Sequence, residues 1–330
     1  MTHLKTQDLV TSPPITIVFI GGFGRSGSTL TDLILGSGSN TISVGELRYM
    51  WERGLRDNQL CGCGAAFHDC PFWSEVLALS GHAGLAGKEL EHIINLQKRV
   101  DMAKYVPQLA TKVKSSSFQT RYDEFSDHLV RLYQAIAQIS GKDTIIDSSK
   151  HFSYGYLLAG LENFTLKVAH LIRDSRASAY SWSKKVERPE IHWKKELMPR
   201  YSLTHSALEW SLSNLLTEGI KFMSPVYKRY KYEELMDKPE LFFQMAGDLG
   251  VKDIALEQNL LSPKESHTVA GNPMRFKKQI EVRGDYAWQQ KMTPAHFRFI
   301  TAATSAVLLR YGYPLTRPGI HKEQRQLSQT

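Results

Sequence analysis

Five short segments that contain apolar, β-branched or aromatic residues recur along the chain as strand candidates, separated by stretches with helical periodicity. These segments cover residues 15–20, 41–44, 143–147, 166–172 and 225–232. Runs of this length, bounded by polar or glycine-containing segments, are typical of buried strands. Strands that alternate with helices predict an α/β fold with three layers, in which helices flank a central, mostly parallel sheet. Ligands of such folds bind at the carboxyl ends of the strands.

The stretch over residues 82–140 has no strand pattern and predicts two or more helices, with a break near residues 115–118. We expect it to be an inserted helical lid or subdomain within a single catalytic domain that spans residues 1–330. Residues 1–14 and 319–330 are polar and predict disordered tails.

A glycine-rich turn follows the first predicted strand and precedes a helix that we expect to begin near Leu30. Residues 21–29 read Gly-Gly-Phe-Gly-Arg-Ser-Gly-Ser-Thr, and such a turn holds a phosphate with backbone N–H groups and the helix dipole. The spacing is P-loop-like, but Ser28 stands where the Walker A pattern has lysine. The cation of this loop is Arg25, which suits a transferred group with a single negative charge, such as a sulfuryl group.

A second motif follows the fourth predicted strand. Arg173 stands at the strand end, and Ser181 lies about two helical turns later. A guanidinium fork and a short hydroxyl donor on one side of the chain bind a phosphate dianion well. Taken alone, the segment also fits a helix start in which Arg173 and Arg176 pair with Asp174.

The two motifs together resemble the cofactor motifs of sulfotransferases that use 3′-phosphoadenosine 5′-phosphosulfate (PAPS) and release 3′,5′-diphosphoadenosine (PAP). Residues 173–186 are most similar to tyrosylprotein sulfotransferases, which share the Arg-Ala-Ser and the basic pair before valine. The resemblance implies that the first loop holds the 5′-phosphosulfate, and that Arg173 and Ser181 bind the 3′-phosphate. The loop residues that it implies are Gly24, Arg25, Ser26, Gly27, Ser28 and Thr29.

Sulfuryl transfer requires a base for the acceptor proton and a cation near the oxygen of the leaving phosphate. Resemblance to the tyrosylprotein enzymes implies that Glu46, which follows Gly45 at a strand end, is the base and that Lys150 is the cation. His151 lies where cytosolic sulfotransferases have their base histidine, so it is an alternative base. A carboxylate at a helix start and a solvated Lys-His pair are the structural alternatives.

Looser similarities imply three more cofactor residues. Tyr232 lies in a Tyr-Glu-Glu-Leu stretch that resembles the family's segment near the adenine, although an edge-strand tyrosine gives the same pattern. Arg275, with Asn272 as a supporting donor, lies in a basic segment that resembles the loop closing over the 3′-phosphate. An ordinary surface loop is the alternative for this segment.

The three cysteines, Cys61, Cys63 and Cys70, lie close together in the sequence with His68 among them. Three thiols and an imidazole can complete a tetrahedral zinc site, but Cys-x-Cys is tighter than the usual Cys-x-x-Cys pair. A disulfide is disfavoured in a reducing cytoplasm. We therefore expect a reduced, packed loop and no metal requirement.

The chain of 330 residues has a formal net charge of +8, with its basic residues spread along the sequence rather than gathered in a stripe. An anionic cofactor accounts for this balance better than a nucleic acid does. The sequence has no apolar run of transmembrane length and no signal-peptide segment at its start. We therefore expect no nucleic-acid or membrane partner and a cytoplasmic location.

These features together predict a PAPS-dependent sulfotransferase that needs no metal and modifies a hydroxyl or amine of a small molecule, such as a secondary metabolite. Carbohydrate and peptide-tyrosine acceptors are alternatives. A P-loop kinase is an alternative of another class, with Asp147 as its magnesium ligand. A noncatalytic nucleotide or RNA binder is disfavoured because aromatic-basic strand signatures are absent. None of these features predicts the oligomeric state.

Overall fold

A computed structural model describes residues 14–263 and 266–317. The tails predicted at residues 1–14 and 319–330 lie outside the described residues, apart from Pro14. All five predicted strands are present and form a 5-stranded sheet in the order β2-β3-β1-β4-β5, with every neighbouring pair parallel. These strands are β1 (Thr16–Gly21), β2 (Thr41–Gly45), β3 (Thr144–Lys150), β4 (Thr165–Ile172) and β5 (Val226–Lys231).

Side chains of the central strand β1 alternate between the two faces of the sheet. Ile17 and Phe19 lie in one core cluster, whereas Val18 and Ile20 lie in another on the opposite face. Because both faces are buried, helices cover the sheet on both sides, as parallel sheets require. This confirms the predicted α/β fold with a central parallel sheet flanked by helices.

The helices fill most of the remaining chain. Among these helices, none combines the length and apolar character that crossing a bilayer requires. The described α-helices are α1 (Ser28–Gly36), α2 (Pro71–Leu79), α3 (Gly87–Lys98), α4 (Val106–Leu109), α5 (Ser116–Ser140), α6 (Phe152–Ala159), α7 (Ser175–Ser183), α8 (Leu203–Gly219), α9 (Tyr232–Asp237), α10 (Leu241–Leu249), α11 (Trp288–Lys291) and α12 (Pro294–Arg310). A π-helix spans Met50–Arg56, and 3₁₀ turns lie at Leu47–Tyr49, Phe67–Asp69, Ala103–Tyr105, Ile220–Phe222 and Pro273–Phe276.

The predicted helical stretch over residues 82–140 contains α3, α4 and α5 and no strand. Helix α5 begins inside the predicted break, with Ser115 as its N-cap. Its Phe125 and Leu132, and Ile93 of α3, share one core cluster with Ile17 of the sheet. The stretch therefore covers one face of the sheet as a layer, and its function as a lid stays a prediction.

Two local features differ from the sequence-based expectation. The last predicted strand ends one residue early, because Tyr232 begins α9 instead of closing β5. A second, antiparallel sheet of β6 (Leu256–Glu257), β7 (Leu260–Leu261) and β8 (Ile280–Glu281) is also present. Strands of two residues are too short to show an alternating pattern, so the sequence does not predict them.

Candidate active site

One cavity of about 480 Å³ lies at the carboxyl ends of the parallel strands. Residues that directly follow the strands meet at this edge because all the strands point the same way. Ser26 and Arg275, both predicted to bind the cofactor, are not among its lining residues. The predicted site residues that line the cavity are Gly24, Arg25, Gly27, Ser28, Thr29, Glu46, Lys150, His151, Arg173, Ser181, Tyr232 and Asn272.

The glycine-rich turn between β1 and α1 bends through left-handed backbone conformations. Arg25 has a φ of 70° and Gly27 a φ of 88°. Gly27 is the N-cap of α1, and a Cβ atom there would lie 2.7 Å from the Tyr232 ring. Only glycine fits this position without strain. The first turn of α1, whose N–H groups have no partner within the helix, therefore reaches the cavity at Ser28 and Thr29.

The Arg25 side chain lies among sulfur and aromatic groups. Its guanidinium donates to the Met198 thioether sulfur at 2.9 Å and lies 4.9 Å from the centroid of the Trp182 ring. Burial lowers the pKa of Arg25, and no carboxylate of the described residues forms an ion pair with it. This cation therefore retains capacity for an anionic ligand. The adjacent Ser26 is only 1% exposed, so it lies behind the loop rather than in the cavity wall.

Arg173 links the glycine-rich loop to a late segment of the chain. Its guanidinium donates to the Arg25 carbonyl at 2.9 Å and to the Asp285 carbonyl at 2.8 Å. It also lies 4.3 Å from the centroid of the Tyr232 ring and 3.7 Å from the Asp285 carboxylate. The side chain is buried, and its Nε has no hydrogen-bond partner among the described residues. Arg173 is thus fixed in the cavity wall next to the loop.

Two arginines near the start of α7, Arg173 and Arg176, make different contacts. Asp174 caps the helix by accepting from the Arg176 N–H, and its carboxylate pairs with the Arg176 guanidinium at 2.6 Å. The salt-bridged helix start considered from the sequence is therefore correct for Arg176 alone. Arg173 stays free of Asp174 and lies at the cavity, which Ser181 of the same helix also lines.

Tyr232 and Asn272 line the cavity with most of their polar groups in internal contacts. The Tyr232 hydroxyl accepts from the Asp285 N–H at 3.1 Å, and the side chain is buried against the loop. The Asn272 N–H donates to the Thr29 hydroxyl at 3.2 Å, and the Asn272 side chain accepts from the Met274 N–H. Both residues therefore stabilise the glycine-rich loop through these contacts.

Arg275 lies outside the cavity. Its guanidinium donates to the carbonyls of Thr268 and Leu60, the latter at 2.7 Å, and the residue is 4% exposed. It holds its own segment against the residue 60 region, so this placement does not support its predicted contact with a 3′-phosphate. From the same part of the chain, Arg283 lines the cavity, with 76% of its side chain exposed.

Glu46 and Lys150 form a mostly buried ion pair in the cavity wall. The Lys150 ammonium donates to the Glu46 carboxylate and, at 3.1 Å, to the Ser148 carbonyl. The two side chains are only 16% and 11% exposed, for Lys150 and Glu46 respectively. Gly45 has a φ of 70°, and a Cβ atom there would lie 2.6 Å from the Val269 carbonyl oxygen. This tight turn places the carboxylate beside the ammonium.

His151 has a polar chain of its own behind it. Its Nδ1 lies 2.8 Å from the Ser153 hydroxyl, which donates to the Asp101 carboxylate. Because Ser153 gives its proton to Asp101, the imidazole donates through Nδ1–H and leaves Nε2 unprotonated. Burial lowers the pKa of His151 to about 4, and the nearby Arg48 acts in the same direction. His151 is therefore neutral near pH 7 and, like Glu46, is able to accept a proton.

Asp147, the candidate magnesium ligand of a kinase, is fully buried. Its carboxylate accepts from the Ser149 N–H at 2.8 Å, from the Ser149 hydroxyl and from the Tyr133 hydroxyl at 2.6 Å. Burial raises the pKa of Asp147 to about 6. This carboxylate is committed to internal hydrogen bonds and is not among the residues that line the cavity.

The cavity wall also contains aromatic and basic residues that the sequence analysis missed. Arg53, from the π-helix, lies over the ring of Tyr49 at 4.1 Å. Trp182 and Tyr201 stack with ring centroids 4.1 Å apart. Neither pair has a sequence signature, since a π-helix has no common motif and the stacked rings come from separate segments. Such a wall suits planar or anionic parts of a ligand.

The three cysteines lie together away from the cavity, but the imidazole beside them is not the one near them in sequence. One ligand atom each from Cys61, Cys63, Cys70 and His267 lies within 4.8 Å of all the others. His68 is exposed, and its Nε2 lies 2.8 Å from the Leu55 carbonyl oxygen instead. The sequence gives no signal for His267, which follows Cys70 by 197 residues.

No family model matches the chain, and no curated protein matches it. Among solved structures, the chain is similar to the sulfotransferase domain from the Synechococcus PCC 7002 olefin synthase, with 19% sequence identity and a TM-score of 0.45, over 92% of this chain and 96% of that chain. It is also similar to the sulfotransferase domain from the curacin biosynthetic pathway, with 14% identity and a TM-score of 0.49, over 92% and 99% of the two chains. Similarities this distant do not assign an activity to the chain.

Proposed function

We propose that the protein is a sulfotransferase that moves a sulfuryl group from PAPS to a hydroxyl or amine of a small molecule. The observation that carries this proposal is the direct link between the two anion-binding motifs. Arg173 donates to the carbonyl of Arg25 at 2.9 Å, and both side chains line one cavity. A donor with a phosphate at each end of one adenosine suits two adjacent basic sites of this kind.

In this proposal the first loop holds the 5′-phosphosulfate. The start of α1 supplies backbone N–H groups, and Arg25 supplies a cation that no described carboxylate neutralises. Arg173 and Ser181 bind the 3′-phosphate. This phosphate displaces the long contact of 3.7 Å between the Arg173 guanidinium and the Asp285 carboxylate. Ser28 replaces the Walker A lysine, which fits a transferred group that has less charge than a γ-phosphate.

The proposed reaction is a direct in-line displacement at sulfur without a covalent enzyme intermediate. The acceptor oxygen or nitrogen forms its bond to sulfur while the bond from sulfur to the bridging oxygen breaks and PAP leaves. Glu46 takes the acceptor proton, and Lys150, with Ser28 or Thr29, stabilises the charge on the bridging oxygen. The ion pair supports this assignment because it brings a base and a cation together at the loop.

His151 is the second candidate for the base. Its neutral imidazole and unprotonated Nε2 meet the chemical requirement, and it lines the same cavity. We prefer Glu46 because the neighbouring Arg173 motif most resembles that of the tyrosylprotein sulfotransferases. Substituting each residue in turn distinguishes the two candidates, because only the loss of the true base should abolish turnover.

A P-loop kinase is the alternative from another enzyme class. It requires a lysine at position 28 and a carboxylate that reaches magnesium near the phosphates. Ser28 lacks the charge, and Asp147 is buried in bonds to Ser149 and Tyr133. Both observations disfavour the kinase.

The acceptor is proposed to be a small molecule because it must share the cavity of about 480 Å³ with the donor. The wall made by Tyr49, Arg53, Trp182 and Tyr201 is the part that would contact it. A carbohydrate and a peptide tyrosine remain the alternative acceptors, and an acceptor screen decides between them.

Titration with nucleotides tests the donor assignment. We expect PAP to raise the thermal unfolding temperature and to bind more tightly than adenosine 5′-monophosphate, whereas ATP with magnesium has little effect. Stronger stabilisation by ATP with magnesium would favour the kinase. With donor binding established, mass spectrometry of a metabolite extract incubated with PAPS should detect products that gain one sulfuryl unit.

A further inference from the structure

Three cysteines and one histidine form a compact group outside the cavity. The Cys63 and Cys70 sulfurs lie 3.7 Å apart, and the His267 Nδ1 lies 3.3 Å from the Cys70 sulfur and 4.0 Å from the Cys61 sulfur. All four ligand atoms lie within 4.8 Å of one another. Cys61 and Cys70 are buried, at 1% and 0% exposure, and the other two residues are half-buried.

The separations of 3.3, 3.7 and 4.0 Å lie close to the edges of a zinc tetrahedron. Zinc binds sulfur at about 2.3 Å and nitrogen at about 2.0–2.1 Å, so tetrahedral angles place the ligand atoms roughly 3.5–3.8 Å apart. A disulfide would use only two of the thiols and leave the imidazole without a role. Three thiols and an imidazole at a common centre are, in contrast, a usual ligand set of structural zinc sites.

A tight backbone turn holds the Cys61 and Cys63 thiols. The Cys61 N–H donates to the Ala65 carbonyl at 2.8 Å, and the Gly64 N–H donates to the Cys61 carbonyl at 2.9 Å. Gly64 has a φ of 89°, which suits glycine and lets the turn close. The Cys-x-Cys spacing is therefore accommodated by this turn, although it is tighter than the usual metal-binding pair.

The other two ligands are also fixed by their surroundings. Cys70 is the N-cap of α2, with Pro71 in its first turn. The Trp73 indole N–H donates to the His267 carbonyl at 2.9 Å, and the Phe72 ring stacks on the imidazole at 4.7 Å. Such outer contacts orient metal ligands.

We infer that Cys61, Cys63, Cys70 and the Nδ1 of His267 bind one zinc ion in a closed, four-coordinate structural site. On binding, the three thiols lose their protons to solvent, the imidazole binds as the neutral form, and no oxidation or reduction takes place. This inference differs from the expectation of a packed loop without metal, and it does not depend on the proposed function.

The zinc would anchor a segment that borders the proposed active site. The Val269 N–H, two residues after His267, donates to the Val44 carbonyl at 2.8 Å, and the Val269 carbonyl accepts from the Glu46 N–H at 2.7 Å. A Cβ atom on Gly271 would lie 3.8 Å from a Glu46 carboxylate oxygen. Metal binding at His267 thus fixes backbone that contacts the candidate base.

Metal content provides the first test. Full-length protein purified without chelators should contain about one zinc per chain by elemental analysis. His267→Ala should lose most of this zinc, whereas His68→Ala is the matched control and should retain it. Loss of zinc from the His68 variant with retention in the His267 variant would overturn the ligand set.

A second test uses the unmodified protein and does not depend on whether variants fold. A mercurial thiol reagent should release zinc in proportion to thiols modified, and cobalt exchanged into the site should show the visible absorption of a tetrahedral thiolate complex. Hydrogen exchange in residues 268–272 should rise after release, while α10 keeps its protection. Protein that holds no metal as purified and binds neither zinc nor cobalt would refute the site.

Discussion

The Lys150 ammonium donates directly to the Glu46 carboxylate, although the two residues are 104 positions apart in the chain. Lys150 is the last residue of β3 and Glu46 directly follows β2, and these two strands are neighbours in the parallel sheet. Both side chains are mostly buried, so the pair is screened little by solvent. A carboxylate and an ammonium are therefore held together at the carboxyl ends of neighbouring strands, in the wall of the cavity.

Replacing Glu46, the proposed base, should separate turnover from cofactor binding. Glu46→Gln keeps the size of the side chain but removes the charge, so we expect turnover to fall about 10²–10⁴-fold. PAP affinity, measured by calorimetry, should change little because Glu46 is not assigned to the phosphates. His151→Asn is the matched variant and should retain most of the activity. If His151→Asn abolishes turnover while Glu46→Gln remains active, His151 is the base.

Arg173 should be essential for binding the 3′-phosphate. Arg173→Gln removes a charged fork that is only 5% exposed, so we expect PAP affinity to fall at least about tenfold. Adenosine 5′-monophosphate has no 3′-phosphate, and its affinity should fall much less. The exposed Arg298→Gln on α12 is the control for net charge and should bind PAP normally. Equal losses for the two nucleotides in Arg173→Gln would contradict the assignment.

The sheet and the edge at which the candidate site lies were predictable, because the sequence patterns that indicate them are local. Four of the five strands contain a short apolar run, whereas β5 mixes aromatic and basic residues. Parallel strands bring the residues at their carboxyl ends to one edge. The sequence alone therefore places Arg25, Glu46, Lys150 and Arg173 together. Arg275 could not be placed in this way, because a basic residue in a loop gives no indication of whether it faces a cavity or bonds to backbone carbonyls.

Contacts between distant segments were not predictable where the residues do not lie at the ends of the predicted strands. His267 joins the cysteines across 197 residues, and nothing in its neighbourhood distinguishes it from His68. The contacts of Arg25 with Trp182 and Met198 also depend on the tertiary fold. Such pairs have no spacing rule, so a single sequence does not reveal them.

The buried His170 should make stability depend on pH. Its Nε2–H donates to the Oδ1 of the Asn214 side chain, its Nδ1 accepts from the Tyr227 hydroxyl, and burial lowers its pKa from 6.5 to about 4. Below pH 6.5 the unfolded state therefore binds the extra proton, and the free energy of unfolding falls as the pH approaches 4. Between pH 6.5 and about 4 this fully buried group lowers the free energy of unfolding by about 3 kcal/mol in total.

Urea denaturation of the wild type and of His170→Gln between pH 4 and 8 measures this contribution. The other charged groups, including the nearby Glu218 and Arg229, remain in both proteins, so the difference between the two curves isolates His170. Above pH 6.5 the curves should run parallel, and below it they should converge as the wild type loses stability. A constant offset across the whole range would show that His170 does not titrate as its burial requires.

Gly27 should tolerate no side chain, because its φ is 88° and a Cβ atom would lie 2.7 Å from the Tyr232 ring. Gly27→Ala should lower the free energy of unfolding by about 1–3 kcal/mol and weaken PAP binding, since the start of α1 must shift. Gly247→Ala in α10 is the matched control. A Cβ atom there meets nothing within 4 Å, so Gly247→Ala should raise the free energy of unfolding by about 0.5–1 kcal/mol. Calorimetry and urea denaturation measure both effects, and unchanged PAP binding in Gly27→Ala would show that the loop backbone does not hold the donor.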